Sequence, residues 1–191
     1  MLFHLDVRIV RNVIIVNIKH NVRKMVYKMA EPGKRWENNM KKSLPGIIRL
    51  YDTTNGFAGI KNPCDFIYYV YPYEFLIECK SVQGNTFNFN LITDYQKEQL
   101  DYHNHIYGKT SLVCIEFRDA KLCYAIPYEL IKQLNNDGKK SIHYMKDKDI
   151  INNYMMPVKY ARTNCSIDEV EFKHFLKKLG GVNEVKTSPR I

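Results

Sequence analysis

Hydrophobic and polar positions along the chain follow two periods, one typical of helices and one typical of strands. Trp36, Met40 and Leu44 recur at helical spacing, and Pro45-Gly46 ends that helix. Runs rich in Val, Ile, Phe and Tyr predict strands. Strands are predicted at 47–51, on both sides of a turn at 71–74, at 111–117, at 121–126 and at 141–144, and further helices at 94–107, at 127–134 and from 168 to the Gly180-Gly181 pair.

The order helix, strand, hairpin, helix, hairpin, helix predicts an α/β fold with a mixed central β-sheet and helices on both faces. Residues 29–134 hold the predicted core, and 135–191 form a carboxy-terminal extension whose helix docks on it. Residues 1–28 alternate only loosely. They form an amino-terminal arm, or the native chain starts at Met25 or Met29.

The hairpin around residues 63–81 carries the candidate chemistry. If residues 71–74 form its turn, pairing outward sets Asp65 opposite Lys80. Side chains alternate along a strand, so Glu78 and Lys80 share one face and Asp65 joins them. Cys79 points to the other face, where a buried thiol behaves as a small hydrophobe.

Asp65 and Glu78 supply hard oxygen ligands of the kind that suit Mg²⁺, for which Mn²⁺ can substitute. Lys80 could position a metal-bound water or stabilise negative charge in a transition state. The alternative is an edge hairpin with a surface Glu–Lys pair, because this spacing of Asp, Glu and Lys also arises by chance.

Two parts of this stretch, Pro63-Cys64-Asp65 and Glu78-Cys79-Lys80, resemble the PD-(D/E)xK motif of restriction-like nucleases. With 33–37 (Gly-Lys-Arg-Trp-Glu) on the first helix and Gln96 opening the next, the ordered set is similar to Holliday-junction resolvases of the RecU and archaeal types. The resemblance covers about residues 33–134. It implies a restriction-endonuclease-like fold and a metal-dependent endonuclease with Asp65, Glu78 and Lys80 as its catalytic core.

The same resemblance implies that Glu37 is an auxiliary carboxylate, that Gln96 is a polar group near the site, and that the protein acts as a homodimer. Each residue also has a simpler interpretation: Glu37 as a surface carboxylate and Gln96 as part of a Thr93–Gln96 capping box. RecU-type proteins carry a long stalk before the catalytic Asp, whereas only residues 51–62 separate strand from motif here.

Charge is distributed unevenly along the chain, whose formal net charge is +9. Residues 1–45 hold 10 Lys/Arg against 3 acids, residues 46–134 hold 8 against 10, and residues 135–191 hold 11 against 7. Basic flanks around a slightly acidic core suit a polyanion such as DNA, although the basic residues also serve solubility. The candidate DNA contacts are Lys34, Arg35, Arg49 and Lys61.

Five cysteines without a C-x-x-C motif, four of them in apolar runs, indicate buried thiols in a reducing compartment. We therefore expect a cytoplasmic protein, of a bacterium or a phage-infected cell, without a membrane-spanning run.

The leading functional hypothesis is a Mg²⁺-dependent DNA endonuclease that resolves four-way junctions. One alternative keeps the nuclease chemistry but acts on another DNA structure, in restriction or repair. The other is a non-catalytic nucleic-acid-binding protein.

Overall fold

A computed structural model of the chain describes residues 32–50, 62–162 and 164–187, with side chains up to residue 181. Five α-helices are present in this part of the chain: α1 (Pro32–Ser43), α2 (Asp94–Asn104), α3 (Tyr128–Asn136), α4 (Lys148–Ile151) and α5 (Glu169–Thr187). Nine strands accompany them: β1 (Ile48–Arg49), β2 (Phe66–Val70), β3 (Tyr73–Val82), β4 (Thr86–Asn88), β5 (Lys109–Phe117), β6 (Leu122–Pro127), β7 (Ser141–His143), β8 (Val158–Ala161) and β9 (Asn164–Ile167). The predicted arm at 1–28 lies outside the described residues, and the predicted domain boundaries stay predictions.

The central sheet has five strands in the order β1-β2-β3-β5-β6. Strands β3 and β5 run parallel, and the other neighbours are antiparallel. A parallel pair needs a crossover connection, which the segment containing α2 provides. Two smaller antiparallel pairs, β4–β7 and β8–β9, lie outside this sheet.

Apolar clusters cover both faces of the sheet, because alternate residues of β3 point in opposite directions. Phe75 and Ile77 pack in one cluster with Trp36 of α1 and Phe172 of α5. Leu76 and Val82 of β3 belong to the other cluster, which includes Leu100 of α2 and Ile131 of α3. The predicted mixed sheet with helices on both faces is therefore confirmed.

Helix α1 presents the stripe that its sequence predicts. Trp36, Met40 and Leu44 are all buried against the sheet. The indole Nε1 of Trp36 also donates a hydrogen bond of 3.0 Å to the backbone oxygen of Cys114 on β5. One side chain thus satisfies its only donor and contributes a large apolar area to the core.

The predicted pairing register of the β2–β3 hairpin was wrong by two residues. The loop contains only Tyr71 and Pro72, since Val70 pairs directly with Tyr73. Ile67 rather than Tyr69 therefore faces Leu76, and the pairing ends at Phe66 and Ile77, so Asp65 does not pair with Lys80. A shift of two residues keeps every side chain on its predicted face, because the period of a strand is two.

Three further parts of the fold differ from the prediction. The segment 81–90, expected to be a loop, contains β4, which pairs with the predicted strand β7. The β8–β9 hairpin was not predicted. Each of its strands is too short to show a strand pattern in the sequence, and the two are defined by their antiparallel pairing with each other. Helix α5 runs through Gly180-Gly181 to Thr187 instead of stopping there.

All five cysteines are unpaired and buried. Burial raises the pKa of the Cys64 thiol to about 12, which makes the reactive thiolate scarce at neutral pH. Within the described ranges, no helix has the length and apolar character required to cross a bilayer.

The first testable prediction concerns the two glycines inside α5. A Cβ on Gly180 would lie 2.5 Å from the Tyr73 ring, whereas one on Gly181 would come no closer than 3.6 Å to that side chain. Replacing a helical glycine by alanine alone gains up to ~1 kcal/mol. We expect Gly181→Ala to raise the free energy of unfolding by about that amount and Gly180→Ala to lower it by about 1–3 kcal/mol through overpacking.

Urea unfolding of the two variants and the parent protein measures this difference. Equal stabilisation by both substitutions would show that α5 does not pack against Tyr73 in this way.

Candidate active site

Asp65 and Glu78 meet where the β2–β3 hairpin opens at its far end from the turn. Asp65 immediately precedes β2, and its backbone N–H donates to the Ile77 oxygen at 3.1 Å. Its side chain turns toward β3, where Oδ2 accepts a 2.7 Å hydrogen bond from the backbone N–H of Cys79. The Asp65 carboxylate therefore contacts the residue that follows Glu78 on β3 and lies close enough to raise the pKa of Glu78.

Glu78 is the buried centre of the cluster, with only 2% of its surface exposed. Its Oε1 accepts from Lys80 Nζ at 2.8 Å and from Gln96 Nε2 at 2.7 Å. Its Oε2 is also buried and has no hydrogen-bond partner among the residues that the structure describes. A buried acceptor without a partner is costly, so this oxygen marks a position where a ligand would be stabilising.

Burial, and in second place the nearby Asp65 carboxylate, raise the pKa of the Glu78 carboxyl to about 7. The Lys80 ammonium and the Gln96 carboxamide oppose this rise without cancelling it. Without a bound cation, Glu78 therefore exchanges its proton near neutral pH.

Gln96 performs two tasks with one carboxamide. Its Oε1 accepts from the backbone N–H of Thr93 at 3.0 Å, while the Thr93 hydroxyl accepts from the Gln96 backbone N–H at 3.3 Å. These two bonds form the capping box of α2. Its Nε2 donates to Glu78, so the capping interpretation is confirmed, and the same carboxamide also contacts the candidate site.

Lys80 lies between the buried carboxylate and the surface. Its side chain is 19% exposed, and Nζ is 3.4 Å from Gln96 Oε1 in addition to its contact with Glu78. Asp65 and Gln96 are likewise only partly buried. The site is therefore open to solvent on one side and closed beneath Glu78.

The donor set fits a divalent cation that prefers oxygen ligands. Within 32–50, 62–162 and 164–181, no group of three or more His, Cys, Asp or Glu side chains has metal-binding geometry. Mg²⁺, however, is commonly held by one or two carboxylates, with waters and a substrate phosphate completing the shell. The unpartnered Glu78 oxygen beside the Asp65 carboxylate meets that requirement.

Two further predicted residues, Glu37 and Arg49, lie on α1 and β1. Glu37 forms an ion pair with Arg49, whose guanidinium is 6.0 Å from the Phe66 ring centroid on the α1 face of the sheet. Burial raises the pKa of the Cys79 thiol, and Glu37 and both site carboxylates contribute to the rise, so Glu37 lies within electrostatic range. Its auxiliary role stays a prediction.

The described candidate DNA contacts, Lys34, Arg35 and Arg49, lie on α1 and β1. Arg35 Nη2 is 3.6 Å from Oε1 of Glu116, a carboxylate buried on β5, so Arg35 anchors α1 to the sheet. Lys34 is exposed on the same helix, and Lys61 lies outside the described residues.

Sequence reasoning did not identify the Cys79 backbone N–H as an Asp65 partner, because a main-chain donor leaves no mark in the sequence. Thr93 was not predicted to support the site either, although the capping-box pattern in the sequence already linked it to Gln96.

Comparison with solved structures finds similarity to Hjc, a Holliday junction resolvase from the archaeal hyperthermophile Archaeoglobus fulgidus. The two chains share 17% identity over 79% of this chain and 97% of that chain, with a TM-score of 0.40. No protein-family model and no curated protein sequence matches this chain. Similarity at this level leaves the function to be inferred from the side chains of the site.

The second prediction concerns the metal-free protein, measured with a chelator present. The pKa of Glu78 is raised on folding, so its contribution to stability is present below the unfolded pKa of 4.5 and is lost as pH rises through about 7. We expect the free energy of unfolding to be ~1–3 kcal/mol larger at pH 5.5 than at pH 8. Glu78→Gln should remove most of that difference.

Urea titrations of both proteins at the two pH values provide the measurement. An unchanged pH dependence in Glu78→Gln would assign the effect to another group.

Proposed function

We propose that this protein is a metal-dependent DNA endonuclease that cleaves phosphodiester bonds in branched DNA, with the four-way Holliday junction as its substrate. The observation that carries the proposal is the unpartnered, buried Glu78 oxygen beside Asp65, with Lys80 attached to the same carboxylate. The agreement of these residues with the PD-(D/E)xK pattern supports the same conclusion.

Asp65 and Glu78 are the residues that would hold Mg²⁺, or Mn²⁺ in its place. The bound cation would polarise the scissile phosphate and lower the pKa of a coordinated water. The Cys79 N–H fixes the Asp65 carboxylate, and Gln96 fixes the Glu78 carboxylate, so both ligands are oriented before the substrate arrives.

Lys80 supplies the positive charge of the site. Its ammonium lies 2.8 Å from Glu78 and is partly exposed, so it can also reach a phosphate placed over the two carboxylates. A cation there stabilises the negative charge that develops on the phosphate oxygens and can orient the attacking water. Gln96 contacts Lys80 as well as Glu78 and limits the movement of both.

The choice of DNA as substrate is supported by the net charge of +9 and by the basic flanks of the chain. The choice of a junction rests on the ordered set 33–37, Asp65, Glu78-Cys79-Lys80 and Gln96. A junction has twofold symmetry, and a homodimer would present two such sites to it. A restriction-like or repair nuclease that cleaves another DNA structure would use the same side chains. Comparing the cleavage rates of different DNA substrates distinguishes that alternative from a junction resolvase.

The third prediction tests the carboxylates. We expect the wild-type protein to cleave a synthetic four-way junction in Mg²⁺ and to be inactive with chelator. Asp65→Asn and Glu78→Gln should each reduce the single-turnover cleavage rate at least ~1000-fold, because each removes an anionic oxygen ligand. Asp65→Asn should also weaken Mn²⁺ binding measured by calorimetry without DNA.

Asp119→Asn is the matched control, because this exposed carboxylate on the β5–β6 loop accepts from the Gly84 backbone N–H and lies outside the cluster. Wild-type cleavage rates in Asp65→Asn would refute the proposed site. Faster cleavage of flaps or plain duplex than of the junction would retain the nuclease and reassign its substrate. Metal-independent DNA binding without any cleavage would indicate a binding protein.

The fourth prediction separates the two tasks of Gln96. Thr93→Ala weakens only the helix cap and should cost about 1 kcal/mol of stability. Gln96→Ala also removes a hydrogen bond to the carboxylate, an interaction of about 1.5–3 kcal/mol. We therefore expect a roughly 10- to 100-fold lower cleavage rate for Gln96→Ala and a nearly normal rate for folded Thr93→Ala.

Equal cleavage rates for the two variants, measured where circular dichroism shows both to be folded, would restrict Gln96 to its capping role.

A further inference from the structure

A second concave surface lies beside the N-terminal end of α2. We call it the amide–lysine groove, and its volume is about 310 Å³. It is lined by Asn88, Phe89, Asn90, Lys97, Asn135 and Lys140.

The groove presents the chemistry of an anion-binding surface. Two ammonium groups and three carboxamides line it, and none of the lining residues given for this described part of the chain is acidic. Lys97 pairs at 2.9 Å with Asp94, whose carboxylate is 98% exposed, and the other acids near lining residues in sequence, Glu98 and Asp137, are also exposed. An ion pair this exposed contributes little stability, so Lys97 can exchange it for a phosphate at little cost.

The walls of the groove are held by backbone contacts. Asn88 on β4 pairs with Ser141 on β7, and the backbone N–H of Phe89 donates to the Lys140 oxygen at 3.0 Å. Lys140 Nζ also contacts Asn135 Oδ1 at 3.4 Å. Residues distant in sequence thus converge on one surface that is formed before any ligand binds.

The groove is also adjacent to the candidate active site. Lys97 directly follows Gln96, whose side chain holds Glu78 and Lys80. On a helix, consecutive residues differ by about 100° in direction, so one turn of α2 serves the site with Gln96 and the groove with Lys97.

The burial of Phe89 indicates which part of a nucleic acid the groove could contact. This residue is only 5% exposed, so its ring offers no platform on which a base could stack. Ammonium and carboxamide donors are the groups that contact phosphate and sugar oxygens, and such contacts set register rather than sequence.

We propose that the amide–lysine groove binds the sugar–phosphate backbone of the DNA strand next to the scissile phosphate, with Lys97 and Lys140 contacting its phosphates. This inference rests on the proposed endonuclease function and extends it from the reacting phosphate to the strand that positions it. The groove would set where along the strand the cut falls without reading the bases.

The fifth prediction uses Asp65→Asn protein with Ca²⁺, so that junction DNA binds without being cut. Into this background we introduce Lys97→Ala with Lys140→Ala, or Lys159→Ala with Lys177→Ala as a matched control. The control lysines are exposed on β8 and α5, and the change in net charge is identical. Each lost phosphate contact should reduce the slope of log K against log salt by about 0.9.

We therefore expect the groove pair to lower the slope by nearly 2 and the affinity at moderate salt by about tenfold or more. The control pair should change both quantities much less. Equal effects of the two pairs would overturn the proposal, because the groove lysines would then act only through net charge.

A second measurement locates the contact on the DNA. Neutral methylphosphonates are placed one at a time at successive positions flanking the expected cut. In the Asp65→Asn parent we expect one or two adjacent positions to lose affinity, and in the groove variant those positions should cause no further loss. Additive losses at every position would overturn the proposal.

The outcomes also separate the two proposals. If wild-type protein cleaves the junction in Mg²⁺ while the groove variants bind like the controls, only the groove assignment fails. If wild-type protein neither binds nor cleaves any DNA tested, the proposed function fails and the groove assignment fails with it.

Discussion

The buried carboxylate of Glu78 is the constraint on which the rest of the candidate site depends. It lies on β3, which has strand partners on both sides, so water reaches it poorly. Burial disfavours its charged form, and the adjacent Asp65 adds repulsion. Lys80 and Gln96 both donate to one oxygen of this carboxylate, and the other oxygen has no hydrogen-bond partner among the described residues. The chemistry of the site follows from placing an acid where solvent cannot stabilise it.

Ion pairs lie on both faces of the sheet, one set around Glu78 and another between α1 and the strands. On the α2 face, the charges converge on Glu78. On the α1 face, Glu37 pairs with Arg49 of β1, and Arg35 pairs with the buried Glu116 of β5. The second set attaches one helix to two strands of the sheet. Arg35 and Glu37 of α1 therefore also stabilise the packing of this helix on the sheet.

Local patterns in the sequence carried the most reliable information. The Trp36 stripe and the Thr93–Gln96 capping box depend on residues a few positions apart, and both appear as predicted. The face shared by Glu78 and Lys80 depends only on strand alternation, so it survived an error of two residues in register. The register itself depends on whether two or four residues form the turn, and the residues at 71–74 suit either length.

Other features required tertiary contacts that no local pattern contains. Gly180 looks like a helix stop, but its lack of a side chain allows α5 to approach Tyr73. Strands β4 and β8 are only 3 and 4 residues long, and their partners rather than their own sequences define them. The amide–lysine groove joins β4 to the segment between α3 and β7, across about fifty residues of chain. Only the folded structure brings these groups together.

The Gln96 carboxamide both caps α2 and contacts Glu78, so a substitution at this position affects helix formation and the acid at the same time. A replacement at this position that tuned the acidity of Glu78 would also alter how readily α2 begins, and one that strengthened the helix start would disturb the acid. Neither property can be optimised alone. The position should therefore tolerate few residue types, and second-site changes at Thr93 should be the ones that accompany its variation.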